Sequence, residues 1–153
     1  MRQIKFRAKR RDTDEWIYGD ISRVPKICSQ AEFNETGRRY VKVIRIANYN
    51  VREETVGQFT GLLDENKNEI YEGDIVDWTF FFNEYCDGGA TERDTQVRGV
   101  IEWKQGGFVL RVTKNDFEDA GSYGISDLNT DTESDTRVIG NIFDNKDLAD
   151  GHD

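Results

Sequence analysis

At 153 residues the chain is long enough for one domain or two very small ones, burying roughly 70% of its unfolded surface on folding. Only 36% of residues are hydrophobic, but an aromatic share of 12% brings large buried area per residue and excludes disorder for most of the chain. The 30 acidic and 21 basic residues leave a net charge of −9, which opposes ordinary nucleic-acid binding, since a phosphate-neutralising surface needs clustered Lys and Arg.

Period-two alternation dominates and helical periodicity is scarce. Ile4, Phe6 and Ala8 alternate with Lys5, Arg7 and Lys9, predicting a first strand with a solvated charged face. Asp12-Thr13-Asp14 favours a turn before a second strand over Trp16 to Ile21. Cys28 to Gly37 reads as flexible, and the β-branched run Tyr40 to Ile46 as a third strand. Strands over Val56 to Phe59 and Ile70 to Phe82 flank a polar hairpin turn at Asp64 to Glu69. A long variable loop, Asn83 to Gln96, precedes a hairpin of Val97 to Lys104 and Phe108 to Thr113 across Gln105-Gly106-Gly107. Asp116 to Thr136 reads as flexible, and Arg137 to Phe143 closes the strands, with short helices expected near Asp127 and at Lys146 to Ala149. Two echoes, Tyr18-Gly19-Asp20-Ile21 with Tyr71-Glu72-Gly73-Asp74-Ile75 and Val56-Gly57-Gln58-Phe59 with Ile139-Gly140-Asn141-Ile142, hint at duplication or at common turn chemistry.

Three motifs stand in order along the chain. They are Met1-Arg2-Gln3-Ile4-Lys5-Phe6-Arg7-Ala8, then Gly57-Gln58-Phe59-Thr60-Gly61 leading to Ile70-Tyr71-Glu72-Gly73-Asp74-Ile75-Val76, then Val138-Ile139-Gly140-Asn141-Ile142. Together they resemble the YopX family of phage and prophage proteins over nearly the whole chain. The resemblance implies an SH3-like β-barrel and no particular chemistry, because that family has no agreed biochemical function. Where the family tends to have Asn-Gly this chain has Asn66-Lys67, which leaves the hairpin type open. The expected fold is mainly β: an SH3-like barrel or roll over residues 61–146, an additional N-terminal β subdomain over 1–60, and a flexible tail over 147–153, with one integrated domain as the alternative.

No catalytic constellation is legible. His152 is the sole histidine and sits next to the C-terminal residue, a poor place for a base that must be held beside a nucleophile. Cys28 and Cys86 stand far apart in no metal or redox spacing and are expected as reduced thiols. Asp64-Glu65-Asn66-Lys67-Asn68 begins like a calcium loop, yet its sixth and twelfth positions are Glu69 and Ile75 in place of Gly and an acid. The run from Asp127 fails in the same way at Thr132 and Val138. Gly88-Gly89 and Gly106-Gly107 precede no helix and no Lys-Ser/Thr pair, so no phosphate loop is present. Gly73-Asp74 is best read as a permissive backbone with a carboxylate holding nearby N–H groups at a strand entrance. The expectation is therefore no catalytic residue, no metal, no cofactor and no enzyme.

The strand Val76-Asp77-Trp78-Thr79-Phe80-Phe81-Phe82 is the feature with binding potential. Alternation turns Val76, Trp78, Phe80 and Phe82 inward, with Trp103 and Phe108 joining the core. Phe81 and Tyr85 fall on the outward face and form the candidate interface. The leading functional expectation is a non-enzymatic accessory factor in the host cytoplasm that binds a protein, of host or phage, or itself. One alternative is an acidic inhibitor that presents carboxylates at Asp64, Asp87 and Asp127 in place of phosphates. Another is direct nucleic-acid binding through the barrel and the basic N-terminal strand, which the charge makes the weaker partner class. The charged N-terminus has no apolar run, so neither a signal peptide nor a membrane partner is expected.

Overall fold

The computed structural model describes residues 3–86, 89–115, 122–125, 128 and 135–150, with side chains for all of these except 80–86, 93, 115 and 122. The described chain is mainly β, and it divides into two units, Met1–Phe59 and Thr60–Asp153.

In the first unit β1 (Phe6–Lys9) pairs antiparallel with β2 (Trp16–Gly19) and with Gly57 and Gln58 at the start of β6 (Gly57–Leu63). A second antiparallel set has the order β3 (Ile21–Ile27), β4 (Tyr40–Ile46), β5 (Tyr49–Asn50). Ala8, Ile44, Ile46 and Val51 form the buried core, with Phe6, Ile17, Ile21 and Val56 packed against it. The β4–β5 turn places Ala47 and Asn48 both at positive φ, 47° and 69°, as a two-residue hairpin matched to strand twist requires.

Two expectations fail here. Cys28 to Gly37 is not an open segment: it contains α1 (Gln30–Thr36). Ser29 Oγ accepts from Glu32 N while a Glu32 carboxylate oxygen accepts from Ser29 N at 2.7 Å, a reciprocal cap that satisfies two orphan donors, and Gly37 closes the helix at φ 66°. The charged face of β1 is not solvated either. Arg7 and Lys9 are 7% and 8% exposed, because Trp16 on the neighbouring strand lies across both.

The second unit holds the rest of β6, then β7 (Glu69–Tyr71), β8 (Asp74–Cys86), β9 (Gly89–Lys104), β10 (Gly107–Asn115), β11 (Ser122–Gly124), β12 (Asp135–Asn141) and α2 (Lys146–Ala149). Five strands form an antiparallel sheet in the order β11-β10-β9-β8-β12. One face carries Val76, Trp78, Val97, Ile101, Phe108 and Leu110 in a buried cluster. On the other, Ile75 and Val100 pack with Ala149 of α2 and with Ile139, Ile142 and Leu148. The short helix expected over Lys146–Ala149 is present, so residues 147–149 are helical and include a buried residue, Ala149, and do not belong to the flexible tail also expected over 147–153.

The expected loop over Asn83 to Gln96 is largely strand. β8 and β9 pair continuously from Ile75↔Val100 to Cys86↔Gly89, because Thr91, Thr95 and the Phe run suit a ladder better than a loop. Trp103 is 51% exposed, against the expectation that it is interior. It lies one residue from the Gln105-Gly106 turn, past the end of the core, and packs edge-on against its cross-strand partner Phe108 at 4.8 Å. The helix expected near Asp127 falls outside the described residues.

Candidate interaction surfaces

The acidic turns are occupied by their own backbone. Asp64 Oδ1 accepts from Asn66 N at 2.9 Å and Asn68 N at 2.8 Å, while Oδ2 accepts from Asn68 Nδ2 at 3.0 Å and Val138 N at 3.3 Å. Burial pushes this carboxyl up, and the four hydrogen bonds outweigh it, so the group sits below the ordinary Asp value. The loop is a three-residue connection with Lys67 at φ 68°, which resolves the hairpin type left open by the missing Asn-Gly. Asp74 is buried and accepts from Tyr71 N at 2.7 Å, while Gly73, at φ 82°, lets the chain turn into β8. Asp20, its counterpart in the internal echo, is exposed, so the echo does not extend to a shared environment. Among the described residues no three His, Cys, Asp or Glu side chains gather as a metal site would need. Asp87, Asp127 and His152 lie outside the described residues, so the convergence of acidic turns expected of a phosphate mimic does too.

Of the basic residues that crowd the N-terminus, Lys5, Arg7, Lys9 and Arg10 are engaged internally, while Arg11 is exposed. The Arg7 guanidinium carbon lies 4.7 Å from the Trp16 ring centre and Lys9 Nζ 5.4 Å from it, with Lys5 Nζ 5.7 Å from the Tyr18 ring. Arg10 stacks 4.0 Å from Tyr49 and grips Asp12 through Nε and Nη2 at 3.0 and 2.7 Å. That bond raises Arg10 and lowers Asp12 from their ordinary values. Apart from Arg11, the cluster read from sequence as a basic strand is thus a set of ring and carboxylate contacts.

The β8–β9 hairpin contains the predicted pair. Register places Phe81 opposite Asp94 and Tyr85 opposite Ala90. The side chains of Phe80, Phe81, Phe82 and Tyr85 are outside the described set. On β9 the successive residues Gly89, Ala90, Thr91 and Glu92 are all exposed, and since neighbours on a strand point to opposite faces, β9 is uncovered on both faces there. Nearer the core the hairpin is pinned by Arg98 and Asp77, whose Nε–Oδ1 and Nη2–Oδ2 bonds measure 2.7 and 3.0 Å.

A surface absent from the sequence reading lies in the first unit. Ile21, Arg23, Pro25 and Ile27 face Ile46, Ile44, Lys42 and Tyr40 across β3–β4. The inner end of this face is core; beyond Ile44 every residue on it is exposed, ending in Ile27 at 73% and Tyr40 at 62%. A groove of about 320 Å³ at that end is lined by Ile27, Cys28, Phe33, Arg39 and Tyr40 among others. Arg23, Arg38, Arg39 and Lys42 are exposed, and none has an acidic partner among the described residues. A count of charge by halves signals the region from sequence alone, and Ser29-x-x-Glu32 signals its helix.

The YopX protein family model matches residues 5–150. A solved structure, protein EF1440 from Enterococcus faecalis, is similar over 97% of this chain and 99% of its own, at 21% identity and a TM-score of 0.47. No curated protein matches.

Proposed function

The chain belongs to the YopX family, and from that premise we propose that it is a non-enzymatic accessory protein of a phage or prophage that acts in the host cytoplasm by binding another protein or a second copy of itself. The observation that carries this reading is the β8–β9 ribbon, whose Gly89–Glu92 segment is uncovered on both faces. A strand uncovered on both faces exposes area that the isolated chain leaves unused, and strand alternation expects Phe81 and Tyr85 on one outward face, where aromatic residues suit the anchor positions of an interface. The meander order of the five-stranded sheet, with β12 returning beside β8, supports an SH3-like description of the second unit. Catalysis has no assigned acid, base or nucleophile in this reading: Asp64 and Asp74 are taken up by backbone donors. Among the described residues no helix is long and apolar enough to cross a membrane.

The test is the double substitution Phe81→Ala with Tyr85→Ala, measured by sedimentation velocity and by recovery of a partner on the immobilised protein. Weakened association with a nearly unchanged melting curve is the expected result. Association that survives the double substitution removes the proposed surface.

A further inference from the structure

We propose that the open end of β3–β4 is a second binding site, for a single strand of nucleic acid, independent of the β8–β9 ribbon. Net charge conceals it. Residues 1–59 contain 13 basic and 8 acidic residues, a balance of +5, whereas residues 60–153 contain 8 and 22, a balance of −14. Screening confines each field to about 8 Å at physiological salt, so a phosphate approaching the first unit meets the local sign and not the average.

Among the described residues of that unit, four exposed cations without an acidic partner are gathered at one place, while Arg11 and Arg45 stand apart beside Asn48, Tyr49 and Asn50. Arg7, Lys9 and Arg10 are held against rings and carboxylates, and Lys26 is tied to Glu32 at 3.2 Å. Glu32 is itself used twice, as the Ser29 backbone and the Lys26 ammonium hold its carboxyl down at about 2. The four are Arg23 and Lys42 on the inner side of the exposed face and Arg38 and Arg39 beyond its end, with Tyr40 and Ile27 between them. This is an aromatic platform between two pairs of positive charges. A base can stack on Tyr40 while the phosphates on either side reach the flanking cations.

An extended peptide suits the surface less well. Cys28 N donates to Arg39 O at 3.0 Å, so the donors of residues 28, 26 and 24 face β4 and positions 27, 25 and 23 face the outer edge. Pro25 therefore stands on the edge of the sheet, where its missing N–H breaks the row that an added strand would need. An acidic peptide could meet the cations but would bring no flat π-face to Tyr40.

The experiment uses the full chain and a fluorescein-labelled oligothymidylate of about 12 nucleotides, followed by anisotropy from about 50 to 200 mM salt. Saturable binding that weakens with salt is expected. Lys42→Gln with Arg39→Gln should weaken it at least tenfold at the low-salt end and flatten the salt dependence by about 0.7 in log–log slope for each phosphate that is no longer neutralised. Tyr40→Ala should weaken it by about 5- to 100-fold and leave that slope unchanged. All three residues are exposed, and an unchanged melting temperature verifies the fold in each variant. No saturable binding, indifference to these substitutions, preference for the duplex of the same sequence, or equal competition by polyglutamate would each overturn the proposal, the last in favour of an acidic protein partner.

Discussion

Lys67 holds a left-handed conformation at φ 68° in the turn between β6 and β7, a region that costs a residue with a Cβ about 1–2 kcal/mol. Lys67→Gly removes that strain but adds freedom to the unfolded chain, so the net expectation is stabilisation of about 0.5 kcal/mol, read as a raised denaturant midpoint. Asp64 beside it is the reverse case. Asp64→Ala strands the N–H groups of Asn66, Asn68 and Val138, and a loss of about 3 kcal/mol is expected. Because the folded carboxyl lies below its unfolded value of about 3.9, its contribution is complete above that pH and fades as pH falls toward the folded value. The stability gap between the wild type and Asp64→Asn should therefore shrink on acidification; a gap constant from pH 7 to pH 3 would contradict this assignment. Calcium should leave the melting temperature unchanged beyond general salt effects, since backbone and side-chain N–H groups already take the lone pairs of Asp64.

At the scale of elements, α1 depends on a local device. Ser29→Ala removes one of the two reciprocal bonds and should cost the helix about 1 kcal/mol, visible as faster amide exchange over Gln30–Thr36 with little change elsewhere. The β9–β10 hairpin depends on a close approach instead. A Cβ at Gly99 would lie 2.6 Å from the carbonyl oxygen of Arg111 and 2.7 Å from Leu110 Cδ1, and a backbone atom cannot move aside as a side chain can. Gly99→Ala should destabilise by about 1–3 kcal/mol through displaced β10 pairing next to the irregularity between Val112 and Lys114. Tyr40–Ile46 and Lys146–Ala149 have the bounds that the sequence suggests, because β-branched density and the last short polar-apolar run are local properties. The β8–β9 ribbon was not legible: its polar distal half has the composition of a loop, and only pairing across the turn makes it strand. The reciprocal cap of α1, by contrast, was present in Ser29-x-x-Glu32 and carries a readable signature.

For the whole molecule, a sequence pI near 4.7 describes a protein that a polyanion repels, and the partition of charge alters that expectation. Heparin should retain the protein at low salt through the first unit, and Arg23→Ala with Lys42→Ala should release it earlier in a salt gradient; passage in the void volume would show that the acidic field prevails. Composition, alternation and the three ordered motifs by themselves determined that the chain is a mainly β member of the YopX family, since strand periodicity and turn residues act over a few neighbours. They also determined the structural role of Asp74, whose bond to Tyr71 N spans three residues. Only the tertiary structure decided which polar and aromatic groups are available. Arg7 and Lys9 lie under Trp16 while Arg39 and Lys42 stand clear, and Phe108 is covered while Trp103 is not. Alternation states the face on which a residue lies, but not how far the core extends beneath that face, because the core's edge is set by packing between segments distant in sequence.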